Sequence, residues 1–181
     1  MDRELTPAEL VVLGLVAVRP RHGYELDRVI EERGMREWTD VAFSSIYYLL
    51  GRLERQGLIH PLRAGAGHRR RRTFAATSAG MTAARTATKA ALRDAPVPHP
   101  PVLVGIANSA LLETEEAVEA LRERATRLSN EWQRLSDHPR RQLPAPPFVA
   151  AIFDYGLCAL KAELTWVRRT IKLMEETVAR D

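Results

Sequence analysis

The chain has 181 residues, 45% of them hydrophobic, which is enough to bury the core of one substantial domain or two small ones. No stretch approaches the roughly 18 consecutive apolar residues of a membrane span, and the first four residues, MDRE, do not begin a signal peptide. We therefore expect a cytoplasmic protein without membrane contact. The single cysteine, Cys158, excludes an internal disulfide and a multi-thiolate zinc site, so we expect a packed core thiol and neither metal nor cofactor.

Positive charge is concentrated in one part of the chain. The net charge is only +4, but residues 41–95 contain 10 basic and 2 acidic side chains, whereas residues 96–181 contain 11 and 12. Such a concentration is typical of a surface that binds a polyanion, with duplex DNA as the leading candidate.

Two helices are predicted at the start of the chain. Thr6 can cap the first helix, with Pro7 at its first position and Glu9 placed to close a capping box. The segment 22–26, HGYEL, opens a second helix that Gly34 is expected to end.

The third predicted helix begins at Ser44 or Ser45, either of which can cap it, and ends at Gly57. One face is apolar, and the other carries small, polar and basic groups suited to the major groove of DNA. Tyr47 lies at the edge of the apolar stripe, where it can either brace the helix or touch DNA. The candidate DNA contacts on this helix are Ser44, Ser45, Tyr48, Gly51, Arg52 and Arg55.

A hairpin is predicted after this helix, from a strand at 58–62, a Gly-rich turn at 64–67 and a returning strand at 70–76. Three helices followed by a hairpin is the order of a winged helix-turn-helix. A basic run on its own is more often only a solvated face, but the position of this one near the hairpin tip favours pairing with phosphates or entry into the minor groove of DNA. Its members are His68, Arg69, Arg70, Arg71 and Arg72.

The second half of the chain is predicted to be helical. A further helix at about 81–93 leads to four prolines within residues 95–101, which we interpret as a linker between domains 1–95 and 96–181. Beyond it, two long heptad seams predict an antiparallel coiled-coil dimerisation domain. The residues expected to carry dimerisation are Leu121, Leu128, Trp132, Leu157, Leu160, Leu164, Val167, Ile171 and Met174. The fold class is thus mainly α with a small β-hairpin.

Three motifs in residues 8–80 resemble the PadR family of transcriptional regulators: VLGL at 12–15 with PRHGYEL at 20–26, SSIYYLLGRLERQGLI at 44–59, and GHRRRRTFAATSAG at 67–80. The resemblance implies a homodimer that presents two winged helices to palindromic operator DNA, commonly as a repressor. It also implies a possible small-molecule effector. An aromatic group in the second half can line an effector pocket, although helical spacing favours a core role; it comprises Trp132, Phe148, Phe153, Tyr155 and Trp166.

Two other classes of protein, an enzyme and an adaptor, fit the sequence less well than a regulator. An enzyme is disfavoured because the histidines and Cys158 form no known ligand or nucleophile spacing, and because His22 opens a helix and so suits a structural role. An adaptor whose winged helix binds protein or RNA is disfavoured by the positive charge around the third helix and hairpin.

Overall fold

A computed structural model describes residues 4–39, 41–62, 72–95, 97–139 and 147–178. The chain divides into two compact units, Met1–Pro96 and Val97–Asp181, here called the N-terminal unit and the helical unit. Among the described residues, no helix is both long and apolar enough to cross a membrane.

Four helices form the N-terminal unit, together with a short 3-10 turn at Met35–Glu37. They are α1 (Pro7–Val18), α2 (Gly23–Glu32), α3 (Phe43–Arg55) and α4 (Ser78–Arg93). Helix α1 packs against α3 and α4, and α2 packs against α3. The apolar faces of these helices enclose one core, whose least exposed members include Val12, Leu13, Leu26, Ile30, Ile46 and Leu53.

Side chains cap the first two helices, the first as its sequence predicts. Thr6 Oγ1 accepts from the Glu9 amide at 3.3 Å, and Glu9 Oε2 accepts from the Thr6 amide at 2.8 Å, which completes the capping box of α1. His22 Nδ1 accepts from the Glu25 amide at 3.1 Å and so caps α2. The structural role expected for His22 is thereby confirmed.

Helix α3 begins differently from the prediction. Its N-cap is Ala42, so neither Ser44 nor Ser45 caps it. The Ser45 hydroxyl lies inside the first turn and donates to the Ala42 carbonyl oxygen at 2.6 Å. The apolar pattern located the helix, but either serine was an equally plausible start by residue type alone.

A three-stranded antiparallel sheet completes the N-terminal unit. The predicted hairpin is present as β2 (Ile59–Pro61) and β3 (Thr73–Ala76), with residues 63–71 outside the described part of the chain. The additional strand β1 (Arg21–His22) pairs with β3, which gives the order β1-β3-β2. A two-residue strand carries no periodic signal, so the sequence did not predict it.

Arg21 ties α1 to α2 from inside the unit. Its side chain is 2% exposed; Nε donates to the Leu15 carbonyl at 3.1 Å, and Nη1 donates to Glu25 Oε1 at the same distance. Burial lowers the pKa of the Arg21 guanidinium, and the nearby positive charge of Arg19 lowers it further. The buried arginine remains tolerable because a carboxylate and a carbonyl receive its hydrogen bonds.

The helical unit contains α5 (Pro101–Ala107), a 3-10 turn at Ser109–Leu111, α6 (Thr114–Ser136) and α7 (Pro147–Val178). The proline-rich segment was expected to be only a linker, but its last proline, Pro101, starts α5. Proline fits the first helical turn because its missing N–H has no intrahelical partner there.

Helices α6 and α7 pack against each other in an antiparallel arrangement. The His138 and Phe153 rings are 5.1 Å apart near one end of the pair, and Arg122 reaches Glu175 at 2.7 Å toward the other. Cys158 on α7 is exposed, which corrects the expectation of a packed core thiol. It lies in an apolar helical sequence but outside the face that packs within this chain.

Candidate nucleic-acid interface

The outer face of α3 presents a short row of side chains. Ser44 and Arg55 are exposed, Tyr48 is 61% exposed, and Ser45 is half-buried. Among the described residues Arg55 has no ion-pair partner. At about 100° per residue, positions 44, 48 and 55 fall within about 40° of one another, so these three groups form one line along the helix.

Gly51 lies beside this row. A Cβ added at Gly51 meets no atom within 4 Å in the described part of the chain. Packing within the unit therefore does not require a glycine here, although the residue keeps the outer surface of α3 flat next to Tyr48 and Arg55.

Arg52 is placed differently from the expected outward DNA contact. Its side chain is only 16% exposed, and Nε lies 2.8 Å from Oε1 of Glu9 on α1. Arg52 is about 60° from the buried Leu49 on the helical circumference, so it borders the core instead of lying opposite it. The prediction that the Arg52 side chain points outward from α3 was therefore wrong, because the side chain points toward Glu9 of α1.

Tyr47 forms a contact with α2. The ring is 58% exposed, but a Cβ at Gly23 would lie 2.7 Å from the Tyr47 ring, so the two are in close contact. A groove of about 530 Å³ runs beside this contact, between the start of α2, α3 and β3. Tyr47 therefore braces the helix pair with one face and leaves the rest of its ring exposed.

Arg72 leaves the sheet at the base of the predicted wing. It pairs with Glu54 on α3, and its guanidinium carbon lies 5.1 Å from the centroid of the Phe74 ring. The side chain is still 62% exposed. The remaining members of the predicted basic run, His68, Arg69, Arg70 and Arg71, lie outside the described residues.

Sequence reasoning missed the two carboxylates that pair with these arginines. Glu9 was recognised only as part of the capping box, and Glu54 only as a negative charge in a basic region. Their partners come from other elements, 43 residues away for Glu9 and 18 for Glu54. Local spacing carries no signal for such tertiary pairs.

The residues predicted for dimerisation are incompletely covered within one chain. Leu121 and Val167 are buried, with 6% and 0% exposure. The other seven are half-buried: Leu128, Trp132, Leu157, Leu160, Leu164, Ile171 and Met174. The α6–α7 pair therefore leaves part of its apolar seam open.

A mainly apolar cavity of about 550 Å³ lies within the helical unit. It is bordered by Val102 and Ile106 of α5, Leu121 and Leu128 of α6, and Leu160 of α7. None of the five aromatic residues considered for a pocket lines this cavity. Phe153 is instead buried, whereas Phe148 and Tyr155 are 63% and 79% exposed.

Helices α1, α2 and α3 packed around one core, a small antiparallel sheet and the exposed outer face of α3 define the N-terminal unit as a winged helix-turn-helix of the DNA-binding class. Residues 12–86 match the Transcriptional regulator PadR-like family. Residues 12–86 therefore form a PadR-like domain within the N-terminal unit. No curated protein sequence matches the chain significantly.

Solved structures resemble nearly the whole chain. Bacillus subtilis PadR in complex with p-coumaric acid superposes with a TM-score of 0.72 at 16% identity, covering 92% of this chain and 98% of that one. The same protein in complex with operator DNA gives a TM-score of 0.68 with the same identity and coverage. A PadR-like transcriptional regulator from Bacillus cereus gives 0.64 at 16% identity, covering 94% and 99%. At these identities the likeness establishes the fold.

Proposed function

We propose that this protein is a homodimeric transcriptional repressor that binds palindromic operator DNA and responds to a small molecule. Residues 1–95 bind DNA, and residues 96–181 join the two copies. The observation that carries the proposal is the exposed outer row of α3, formed by Ser44, Tyr48 and Arg55 within a winged helix.

This row has the chemistry that base and phosphate recognition requires. The Ser44 hydroxyl can donate to or accept from base edges and phosphates, and the Tyr48 ring can lie against a sugar. Arg55 can pair with two acceptors of a guanine or with a phosphate. Because Gly51 has no side chain, the DNA backbone can approach α3 closely at this position. Ser45 is a weaker candidate, because its hydroxyl is already bonded to Ala42.

The wing supplies the second part of the interface. Arg72 leaves the sheet beside α3, and Arg69, Arg70 and Arg71 precede it in sequence together with His68. Guanidinium groups in a wing neutralise phosphates and release counterions, which makes affinity depend steeply on salt. In support, B. subtilis PadR, which shares the fold, has been solved with operator DNA.

The open seam of the helical unit supports the dimer. Seven large apolar seam residues that stay half-buried in one chain can be covered by a second copy of the same unit. Two copies of α3 then meet two half-sites about one helical turn, or a multiple of it, apart. A repressor of this kind acts by occupying the operator.

The cavity in the helical unit supports an effector. Its volume of about 550 Å³ suits a small molecule, and its mainly apolar lining also includes the charged side chains of Glu123, Arg124, Arg127 and Glu131. B. subtilis PadR has been solved with p-coumaric acid, which provides a first ligand to test. A ligand that binds one dimer arrangement more tightly than another shifts the population and thereby operator affinity.

The test is salt-dependent binding to the DNA upstream of the protein's own gene. We expect steep salt dependence in the wild type and, for Arg70→Ala/Arg71→Ala, a log–log slope lower by about two charges. Arg169→Ala/Lys172→Ala, which removes two exposed basic side chains from α7, is the matched control and should leave the slope unchanged.

Two results would contradict parts of this proposal. Equal affinity for the upstream DNA and random duplex at low salt would contradict regulation of the protein's own gene, which the choice of this DNA assumes. Failure to bind any duplex would contradict the proposed DNA-binding function and favour an adaptor that binds protein or RNA.

A further inference from the structure

Glu9 connects the start of α1 to α3 with both of its carboxylate oxygens. Oε2 closes the capping box by accepting from the Thr6 amide at 2.8 Å, and Oε1 lies 2.8 Å from Arg52 Nε. The Glu9 side chain is fully buried. One carboxylate therefore fixes the helix start and also holds a side chain of the predicted recognition helix.

The charge of Arg52 is already neutralised inside the protein. If Arg52 moved out to a DNA phosphate, it would leave a carboxylate with no solvent exposure unpaired, and burying an unpaired charge is strongly unfavourable. Arg52 is thus paired with a buried carboxylate, whereas Arg55, one turn further along the same helix, is exposed and has no ion-pair partner among the described residues.

The Glu9–Arg52 pair is poorly suited to stabilising the fold. Within the described residues, Glu9 Oε1 and Arg52 Nη2 are buried polar atoms without a hydrogen-bond partner. The contact at 2.8 Å is therefore an ion pair without hydrogen-bond alignment, and incomplete hydrogen bonding offsets little of the cost of burying both charges. Such a pair contributes more to orientation than to stability.

We infer that Arg52 is a positioning residue, not a DNA contact: its pair with Glu9 sets the rotation of α3 against α1. This inference rests on the proposed DNA-binding function. With that rotation fixed, Ser44, Tyr48 and Arg55 face outward together. Without it, the apolar contacts of α3 still hold the helix in place but allow its outer row to turn relative to the groove.

The experiment compares Arg52→Met with Arg55→Met, the same substitution on the same helix. Two duplexes serve as probes: the tightest binder that the wild type selects from random-sequence DNA, and a scrambled version of it. Salt slopes are measured on the scrambled duplex, the affinity ratio is taken between the two duplexes, and folding is checked by circular dichroism at the binding temperature.

For Arg52→Met we expect an unchanged salt slope and an affinity ratio lower by roughly tenfold, comparable to one mismatched base pair. For Arg55→Met we expect the slope to fall by about 0.9, the value for one lost phosphate contact. If Arg52→Met does not fold, Glu9→Gln/Arg52→Met removes both buried charges and is read in the same way.

The outcomes separate the possible roles of Arg52. An equal fall in slope for both arginine variants makes Arg52 a phosphate contact and overturns the inference. An unchanged ratio with only a lower melting temperature makes the pair merely structural and also overturns it. A wild type that selects no duplex from random-sequence DNA instead contradicts the proposed DNA-binding function.

Discussion

At the scale of single residues, Gly80 shows how tightly α4 is joined to the sheet. Thr77 caps α4 by accepting from the Gly80 amide at 2.9 Å, and the Thr77 amide donates to the Leu58 carbonyl at 3.0 Å. A Cβ at Gly80 would lie 2.0 Å from the same carbonyl oxygen, far inside van der Waals contact. The cap and the close approach together require a residue without a side chain.

Gly80→Ala should therefore lower the free energy of unfolding by about 2 kcal/mol, because the added methyl forces backbone apart. Gly14→Ala is the matched control: it lies within α1, where a Cβ meets nothing within 4 Å, and should raise stability by about 0.5–1 kcal/mol. Urea denaturation of both variants is the measurement. A neutral Gly80→Ala would mean that α4 can shift without cost.

At this scale the sequence predicted what local spacing determines. Thr6 and Glu9 were assigned correctly because a cap and its partner lie within three residues of each other. Arg52 was misplaced because its partner comes from another helix. The side chain of a charged residue at the border of an apolar stripe can point to solvent or pack against a neighbouring helix. Which of the two occurs depends on the tertiary partner that it meets.

At the scale of elements, surface ion pairs accompany the α6–α7 contact. Arg124 of α6 pairs with Glu163 of α7, while Glu131 and Arg134 pair along α6 itself. The hydrogen bonds from the Arg134 guanidinium lower the pKa of the Glu131 carboxyl. Both groups of this second pair are nearly half exposed, so it contributes at most a few tenths of a kcal/mol.

We expect the pKa of Glu131 to lie below the ordinary range of a glutamate carboxyl, and Arg134→Gln to remove most of that lowering. Because the folded pKa lies below the unfolded one, the pair stabilises the protein above the unfolded pKa and loses that effect as pH falls through the folded pKa. NMR titration of the carboxyl carbons measures this. Identical titration of Glu131 in wild type and variant would contradict the assigned cause.

The elements that were not predicted from the sequence are the short ones. Strand β1 has two residues, and α5 has seven behind a proline run. Neither is long enough to show a period, and both are stabilised by neighbours distant in sequence or by packing. The long elements α1, α3, α6 and α7 were predicted because capping signals or sustained apolar periods mark them.

At the scale of the whole molecule, the proposed function depends on a second copy. One winged helix contacts one half-site, and joining two of them raises the effective concentration of the second at its half-site. We expect the two copies to associate along the open apolar seam of α6 and α7.

Met174→Glu should weaken the dimer by at least about tenfold, because a charge placed in an apolar interface loses its hydration without gaining a partner. Ala159→Glu, at an exposed position of α7 outside the seam, should leave the dimer intact. Sedimentation equilibrium measures both, and operator binding should weaken only for the first. A wild type that is monomeric at micromolar concentration would contradict the dimer.

The central position of β3 in its sheet fixes its register against both neighbouring strands. Phe74 is paired with Arg21 on one side and with Pro61 on the other, and its ring is buried. A slip of one residue would break both ladders and turn Phe74 toward the opposite face of the sheet. The length of chain that leaves the sheet between Leu62 and Arg72 is therefore constant. A short strand between the first two helices thus helps to hold Leu62 and Arg72, the residues on either side of the segment 63–71, at fixed places relative to the sheet.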